Sequence, residues 1–493
     1  MATTAWVLGD QLSHDNPALE GAERVLIVES RAALTRAGVH RQKLHLLLSA
    51  MRHFAAELRA RGVEVDLRAA SSLRAGLEAH VAEHQPAEVA LLEPSSAGAL
   101  HRLGALPGVR LVRGSLFTLH PEEFSGWASG RRRMVMEDFY RWQRRRLGVL
   151  MDGDEPAGGQ WNLDAENRRP PPRDRRPPER VDPVEDEIDA GVRRDLDALA
   201  PPSFGTDAPR RWPATHTEAR AELERFVAER LPDFGPWQDA MLHGERFMWH
   251  ATLSSSLNLG LLSPHECVEE AEVAYREGRA PLASAEGFIR QLIGWREYVW
   301  GTYWLWRERW PSANALGADT ALPAAFWGQG TDMRCLGDAV AGLADTSYAH
   351  HIERLMLFGN LMLLLGVRPH EALEWFQVAF IDGYEWVMAP NVLGMALFSD
   401  GGAMMTKPYA ASGRYVDRMS DHCKGCRYDP GTRVGPNACP YTTLYWDFLD
   451  RHRPRLERNH RMGPMYRNLD RLPLAELEEV RGQALALREH FDA

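Results

Sequence analysis

The chain has 493 residues and 55.6 kDa, more than one compact core holds, so two or three domains are expected. Its 44% apolar and 26% charged residues exclude wholesale disorder and fibrous repeats, and 58 basic against 68 acidic residues (net −10) argue against indiscriminate coating of nucleic acid. No run approaches the roughly 18 apolar residues of a membrane helix, and MATTAWVLGDQLS lacks a secretory leader pattern, so a soluble cytoplasmic protein is expected.

Residues 1–130 alternate short β-rich runs with helical stretches. Strands are expected at Thr4–Leu8, Val25–Val28, Val63–Leu67, Val89–Leu92 and Val109–Val112. Between the second and third, His40–Arg61 has apolar residues at Leu44, Leu47, Leu48, Met51, Phe54, Ala55 and Leu58, a helical period. The alternation implies a Rossmann-like α/β domain, a parallel sheet covered on both faces. Gly9-Asp10 follows the first strand, at the edge where open α/β sheets bind ligands, but no GxGxxG is present to support a dinucleotide site. Residues 131–235 read as a basic, Pro-rich interdomain linker. Arg131–Arg133, Arg141 and Arg144–Arg146 surround Phe139, Tyr140 and Trp142, a pattern that fits a solvated helix face or a nucleic-acid contact equally. The run RRPPPRDRRPPER, residues 168–180, is too rich in proline for helix or central strand. Residues 236–493 read as a large all-α domain, with amphipathic stretches at Ala285–Trp306, His350–Leu365 and His370–Asp382. Residues 236–400 hold 10 basic and 20 acidic groups, whereas Arg451–Arg467 has six Arg against one Glu, so a polyanion should dock near the C-terminal segment.

Five cysteines in a large cytosolic chain favour a metal site over a disulfide framework. Cys423-x2-Cys426-x12-Cys439-Pro440 puts three thiols in one loop-rich segment. The fourth is expected to be Cys335, after the Gly-rich FWGQG, rather than Cys267 at an apparent helix start. Zinc and a 4Fe–4S cluster both accept four thiolates, and spacing alone does not choose between them. Ser254–Ser256, after an apolar run, offer hydroxyls and backbone N–H groups for a phosphate, or simply a helix cap. Gln291 and Trp295, four apart, share a helix face beside Arg296. His350-His351 opens another helix; a histidine there, buried in a cleft with a near-neutral pKa, could donate a proton at pH 7.

Together, LSSSLNLGLLSP, FIRQLIGWREY, YAHHIERLM, DGYEWVMAPNV and the cysteine pattern resemble the cryptochrome/photolyase superfamily, specifically its bacterial iron–sulfur branch. The resemblance covers nearly the whole chain, from VLGDQLS through MEDFYRWQRRRLGVLMDG and GGQWNLDAENR. It implies an N-terminal antenna domain, a long linker, and a helical domain that holds FAD and a 4Fe–4S cluster. It also implies light-driven repair of (6-4) lesions, on a base flipped out of UV-damaged DNA, by a monomer. The rival function is a cryptochrome-like photoreceptor with the same groups and no repair; a zinc protein that binds nucleic acid without flavin is a third reading. By similarity, His250, Leu253, Ser254, Ser256 and Leu257 should surround FAD, with Gln291 and Arg296 on the helix facing the flavin. Arg354 and Asp382 match a buried ion pair beside the isoalloxazine, and Asn391 a polar group near its N5. His351 is expected as the proton donor and His350 as its orienting neighbour. Asp239, Tyr409 and Tyr415 match residues that hold the lesion. Of the 16 Trp, twice average usage or more, Trp327 and Trp375 match electron carriers between surface and flavin. Cys335, Cys423, Cys426 and Cys439 are the implied cluster ligands. Gly9, Asp10, Gln11 and Leu12 match an antenna site for 6,7-dimethyl-8-ribityllumazine, although Glu29-Ser-Arg-Ala-Ala-Leu34 lacks the acidic residue expected a few positions after Glu29.

Overall fold

The computed structural model describes residues 3–114 and 116–492. Five strands, β1 (Thr3–Val7), β2 (Arg24–Ser30), β3 (Glu64–Ala70), β4 (Glu88–Leu92) and β5 (Val109–Val112), form one parallel sheet in the order β3-β2-β1-β4-β5. The register sets Trp6 beside Leu26 and Leu91. Because strand side chains alternate, Ala5 and Val7 enter one core with Leu46, Ala50 and Phe54 of the Arg41–Ala60 helix. Trp6 and Leu8 enter a second core with Leu77 of the Leu73–His84 helix and Leu103 of the Ala97–Gly104 helix. The central strands β1, β2 and β4 are therefore buried on both faces and read as near-continuous apolar runs, while the edge strands β3 and β5 are partly exposed.

The segment expected to be a linker holds helices at Met136–Leu147, Glu187–Leu199, His216–Arg225 and Leu231–Trp237. Its Pro-rich run, residues 168–180, stays free of helix and strand, as do 181–186 and 205–215. Of the arginine cluster, Arg144 is spent inside the protein, while Arg131–Arg133, Arg145 and Arg146 are exposed. Arg144 is fully buried and donates to the carbonyls of Val149 (3.3 Å), Trp161 (2.8 Å) and Leu150. Arg146 bonds the Thr118 carbonyl and Glu123, and Arg145 stacks over Trp161 at 4.3 Å. Arg144 and Arg146 thus tie the Met136–Leu147 helix to its neighbours.

In the helical half, the stretch expected at Ala285–Trp306 runs as Leu282–Ile289, a π-helical Arg290–Arg296 and Glu297–Leu305. His351–Glu353 leads through a π-helical Arg354–Gly359 into Asn360–Leu365, and a third π-helical stretch covers Ala389–Ala396. Gln291, Arg354 and Asn391 thus each lie in a stretch of wide helix, a geometry common at functional sites. Contacts of several kinds tie the halves together. The loop after β1 donates from the Leu12 N–H to the Leu259 carbonyl (2.7 Å). That approach needs Gly260, whose φ is +85° and where a Cβ would sit 3.2 Å from the Leu12 nitrogen. Lys43, on the Arg41–Ala60 helix, donates to the carbonyls of Gln377 and Gly383, 2.7 Å each.

Candidate functional site

Arg354 opens a π-helical stretch and Asp382 follows the Pro369–Ala379 helix; they meet in a bidentate pair at 2.7 and 3.1 Å. The guanidinium also donates to the Ala349 carbonyl (2.6 Å) and lies over the Phe380 ring at 4.5 Å. Burial alone would raise the Asp382 pKa, but Arg354, aided by the Ser254 hydroxyl and Lys43, holds it below the usual carboxylate value. Beside this pair, His250 stacks on His350 with ring centroids 4.7 Å apart and 15° between planes. His350 is fully buried, and neither of its ring nitrogens has a hydrogen-bond partner among the described residues. His351 is solvent-exposed, yet burial is the largest cause lowering its pKa, to about 4, with Arg354 adding to it. His350 is pushed further down by burial and by the His250 charge. Burial thus favours the neutral form of both rings.

The serine turn follows. Ser255 and Ser256 are buried on the short Ser254–Leu259 helix, and their hydroxyls lack partners within the described chain. The segment leading into it is strained, with Met248 at φ +46° and Thr252 at φ +57°. What holds Thr252 escaped sequence reasoning. Its hydroxyl donates to the buried Glu222 (2.7 Å), which also accepts from Arg230 (2.6 Å), with Arg180 at 3.7 Å. Three guanidinium nitrogens here, Arg180 Nε and Nη2 and Arg230 Nε, are buried without a hydrogen-bond partner among the described residues. Arg180 ends the Pro-rich run, whose composition points to a solvated linker and hides a buried cation.

Asp239, Tyr409 and Tyr415 are brought together. Burial pushes the Asp239 carboxyl up to about 6, against the pull of Arg168, and Asp239 in turn raises both tyrosines, whose largest cause is burial. This group adjoins the histidines through Trp237–Trp249 (4.6 Å) and Phe234–His250 (6.0 Å) ring contacts. Gln291 and Asn391 donate back to the Gly287 and Val387 carbonyls of their own helices (3.0 and 2.8 Å). Arg296 is turned elsewhere. It pairs with Glu297 (3.0 Å), bonds the Leu116 carbonyl and lies over the Phe117 ring at 4.1 Å, at the junction with the segment after β5.

Trp375 is fully buried, packs on Phe380 under Arg354 (5.4 Å), and donates to the Phe326 carbonyl (3.1 Å). Trp327, next to Phe326 in the chain, is 38% exposed. Cys335, Cys423, Cys426 and Cys439 line one pocket with His422 and Tyr441, while Cys267 is buried on the Pro264–Arg276 helix outside it. Burial pushes the Cys423 thiol to about 12 and Cys439 to about 11, each also raised by neighbouring thiols. Asp10 and Gln11 border a separate cleft of about 500 Å³ between the carboxyl ends of β1 and β4, the point where strand order reverses, faced by Trp300 and Trp304. There Gln11 bonds the Leu92 carbonyl (2.9 Å), and Asp10, its pKa raised by burial, accepts from Ser95 (2.7 Å).

Comparison with known proteins agrees with this arrangement. A family model described as deoxyribodipyrimidine photo-lyase-related protein matches residues 5–212. A (6-4) photolyase from Agrobacterium fabrum is 39% identical over 507 aligned positions, covering 100% of both chains. A crystal structure of a bacterial class III photolyase from Agrobacterium tumefaciens matches at a TM-score of 0.59, with 15% identity, 99% of this chain and 97% of that one, and so shares the fold. With such identity along its entire length, the chain belongs to the photolyase family.

Proposed function

We propose that this protein is a DNA photolyase that reverses pyrimidine (6-4) photoproducts in light. The full-length identity to a (6-4) photolyase, with His351 exposed beside the Arg354–Asp382 pair, carries this reading. The residues fit FAD: orphaned hydroxyls on Ser255 and Ser256 and unpartnered guanidinium nitrogens on Arg180 and Arg230 suit a pyrophosphate, and the ion pair suits a polar ring edge. When bound and reduced, FAD supplies the photoexcited electron. The chain's own part is to hold, orient and move a proton. Asp239, Tyr409 and Tyr415 form a polar wall for a flipped base, with Asp239 able to exchange a proton near pH 6. His351 takes up a proton when an anionic lesion neighbour offsets Arg354, and its imidazolium N–H protonates the hydroxyl that is transferred during repair. Trp375 and Trp327 are the route for electrons from the surface.

Cys335, Cys423, Cys426 and Cys439 hold a 4Fe–4S cluster. Four thiols lining one pocket supply the all-sulfur ligand set that such a cluster takes. The cleft at Asp10 and Gln11, with its aromatic wall, is the seat of an antenna chromophore of the lumazine type. The test is light-dependent repair by the purified holoprotein of oligonucleotides carrying a (6-4) product or a cyclobutane dimer. Restoration of the (6-4) substrate alone is expected. No repair of either would move the protein to the photoreceptor class, and dimer repair alone would overturn the lesion assignment.

A further inference from the structure

Away from the flavin and cysteine sites, three residues from distant parts of the chain converge. His14 lies in the loop after β1, Glu57 on the Arg41–Ala60 helix, and His216 at the first position of the His216–Arg225 helix. His14 Nε2 and His216 Nδ1 reach the same Glu57 oxygen, Oε2, at 3.0 and 2.9 Å. The two rings stack at 4.2 Å, and all three ligand atoms lie within 4.8 Å of one another. Side-chain exposures of 25–29% leave a way in for an ion and room for water.

Three other His/carboxylate groups meet the same distance criterion, and in each an arginine occupies the carboxylate: Arg68 on Asp66, Arg246 on Asp338 and Arg210 on Asp189. A guanidinium there competes directly with a cation. At Glu57 the side-chain partners among the described residues are the two imidazoles. We infer that His14, Glu57 and His216 form a binding site for a divalent transition-metal ion of the zinc class, with water completing the coordination. Two imidazoles and one carboxylate suit zinc and its neighbours rather than calcium or magnesium, which prefer all-oxygen sets. Zinc ligand atoms sit about 3.3–3.5 Å apart, so the group has to move little. A bound ion would bolt the β1 loop, the Arg41–Ala60 helix and the His216–Arg225 helix together.

The test uses flavin- and iron-replete protein stripped of loosely held metal and dialysed against zinc chloride, with zinc, iron and flavin counted in the same sample. Wild type is expected to hold one zinc per chain with iron and flavin unchanged, and to melt at a higher temperature with zinc than without. Glu57→Gln, which keeps the side-chain shape, and His216→Ala should bind zinc at least about tenfold more weakly in competition with a chromogenic chelator, and lose the zinc-dependent rise in melting temperature. Wild type without zinc, or Glu57→Gln that retains it with wild-type affinity, would overturn the site.

Discussion

His351 stands exposed, whereas its neighbour His350 is fully buried against His250, 3.5 Å from Glu353. The two should therefore fail differently. His351→Ala is expected to keep FAD, photoreduction and lesion affinity while losing about 10²–10⁴-fold in repair, the usual worth of a general acid. His350→Ala removes a stacked, buried ring, so loss of stability of about 2–4 kcal/mol and of bound flavin is expected. The pH profile adds a check. The acid form of His351 is the working form, and burial with Arg354 favours the neutral one, so single-turnover repair should fall as pH rises through its pKa in the lesion complex. In His351→Gln the residual rate should not follow that titration; an equal pH dependence would remove His351 from the proton step. The cysteines yield a second residue-level prediction. Cys423→Ala leaves three thiols in the pocket without their partner and should purify without iron, whereas Cys267→Ala, on a separate helix, should keep its iron. Iron lost from Cys267→Ala and retained in Cys335→Ala would exchange their roles.

The Arg41–Ala60 helix shows what one element does between the halves. Its N-cap is His40, whose Nδ1 accepts from the Gln42 N–H (3.1 Å) while Nε2 faces the carbonyls of Leu343 and Ala344 at 3.0 Å each. Burial is the main cause lowering this ring's pKa to about 4. The unfolded chain binds a proton at this histidine near pH 6.5 and the folded one only near 4. Stability from His40 is thus fully present above about 6.5 and lost as pH falls toward 4, at about 1 kcal/mol per pH unit. Chemical denaturation of wild type and His40→Asn, which keeps a capping oxygen, should differ in slope by that amount across this window and run parallel above it. Parallel curves throughout would mean that His40 does not titrate on unfolding. The elements themselves were largely legible: all five strands, and the Arg41–Ala60 helix, follow from apolar periodicity. The π-helical stretches at Gln291, Arg354 and Asn391 were not, because one extra residue in a turn barely alters a 3.6-residue pattern. The helices within 131–235 were hidden by proline and arginine counts, which register composition and not the burial that Arg144 and Arg180 find through tertiary partners.

At the scale of the whole molecule, sequence order says little about which charges are free. The basic run Arg451–Arg467 reads as six available cations, yet Arg451 is paired with Asp447 (2.7 Å) and the Leu364 carbonyl, and Arg453 with Asp470 (2.6 Å). Arg458, Arg461 and Arg467 are exposed. Arg461 bonds Thr406 (2.9 Å) and its charge reaches Tyr409, itself coupled to Asp239, so this basic face borders the polar wall assigned to the lesion. That juxtaposition could not be read from residues more than 200 positions apart, just as Arg296, matched by motif to the flavin, is claimed by Glu297 and Leu116. In a chain of net charge −10, a local cationic face must carry the phosphate contacts of a docked duplex. Each contact contributes about 0.9 to the slope of log affinity against log salt for duplex DNA. The triple variant Arg458→Gln, Arg461→Gln, Arg467→Gln should therefore bind lesion-containing duplex more weakly at low salt. Its slope should be shallower by up to about 3, while flavin content, iron content and repair at saturating DNA stay at wild-type values. Arg451→Gln should instead act on stability, through the helix end it ties to Asp447 and Leu364, and leave the slope unchanged. A triple variant with the wild-type slope would place the duplex on another face and separate the basic segment from the lesion wall.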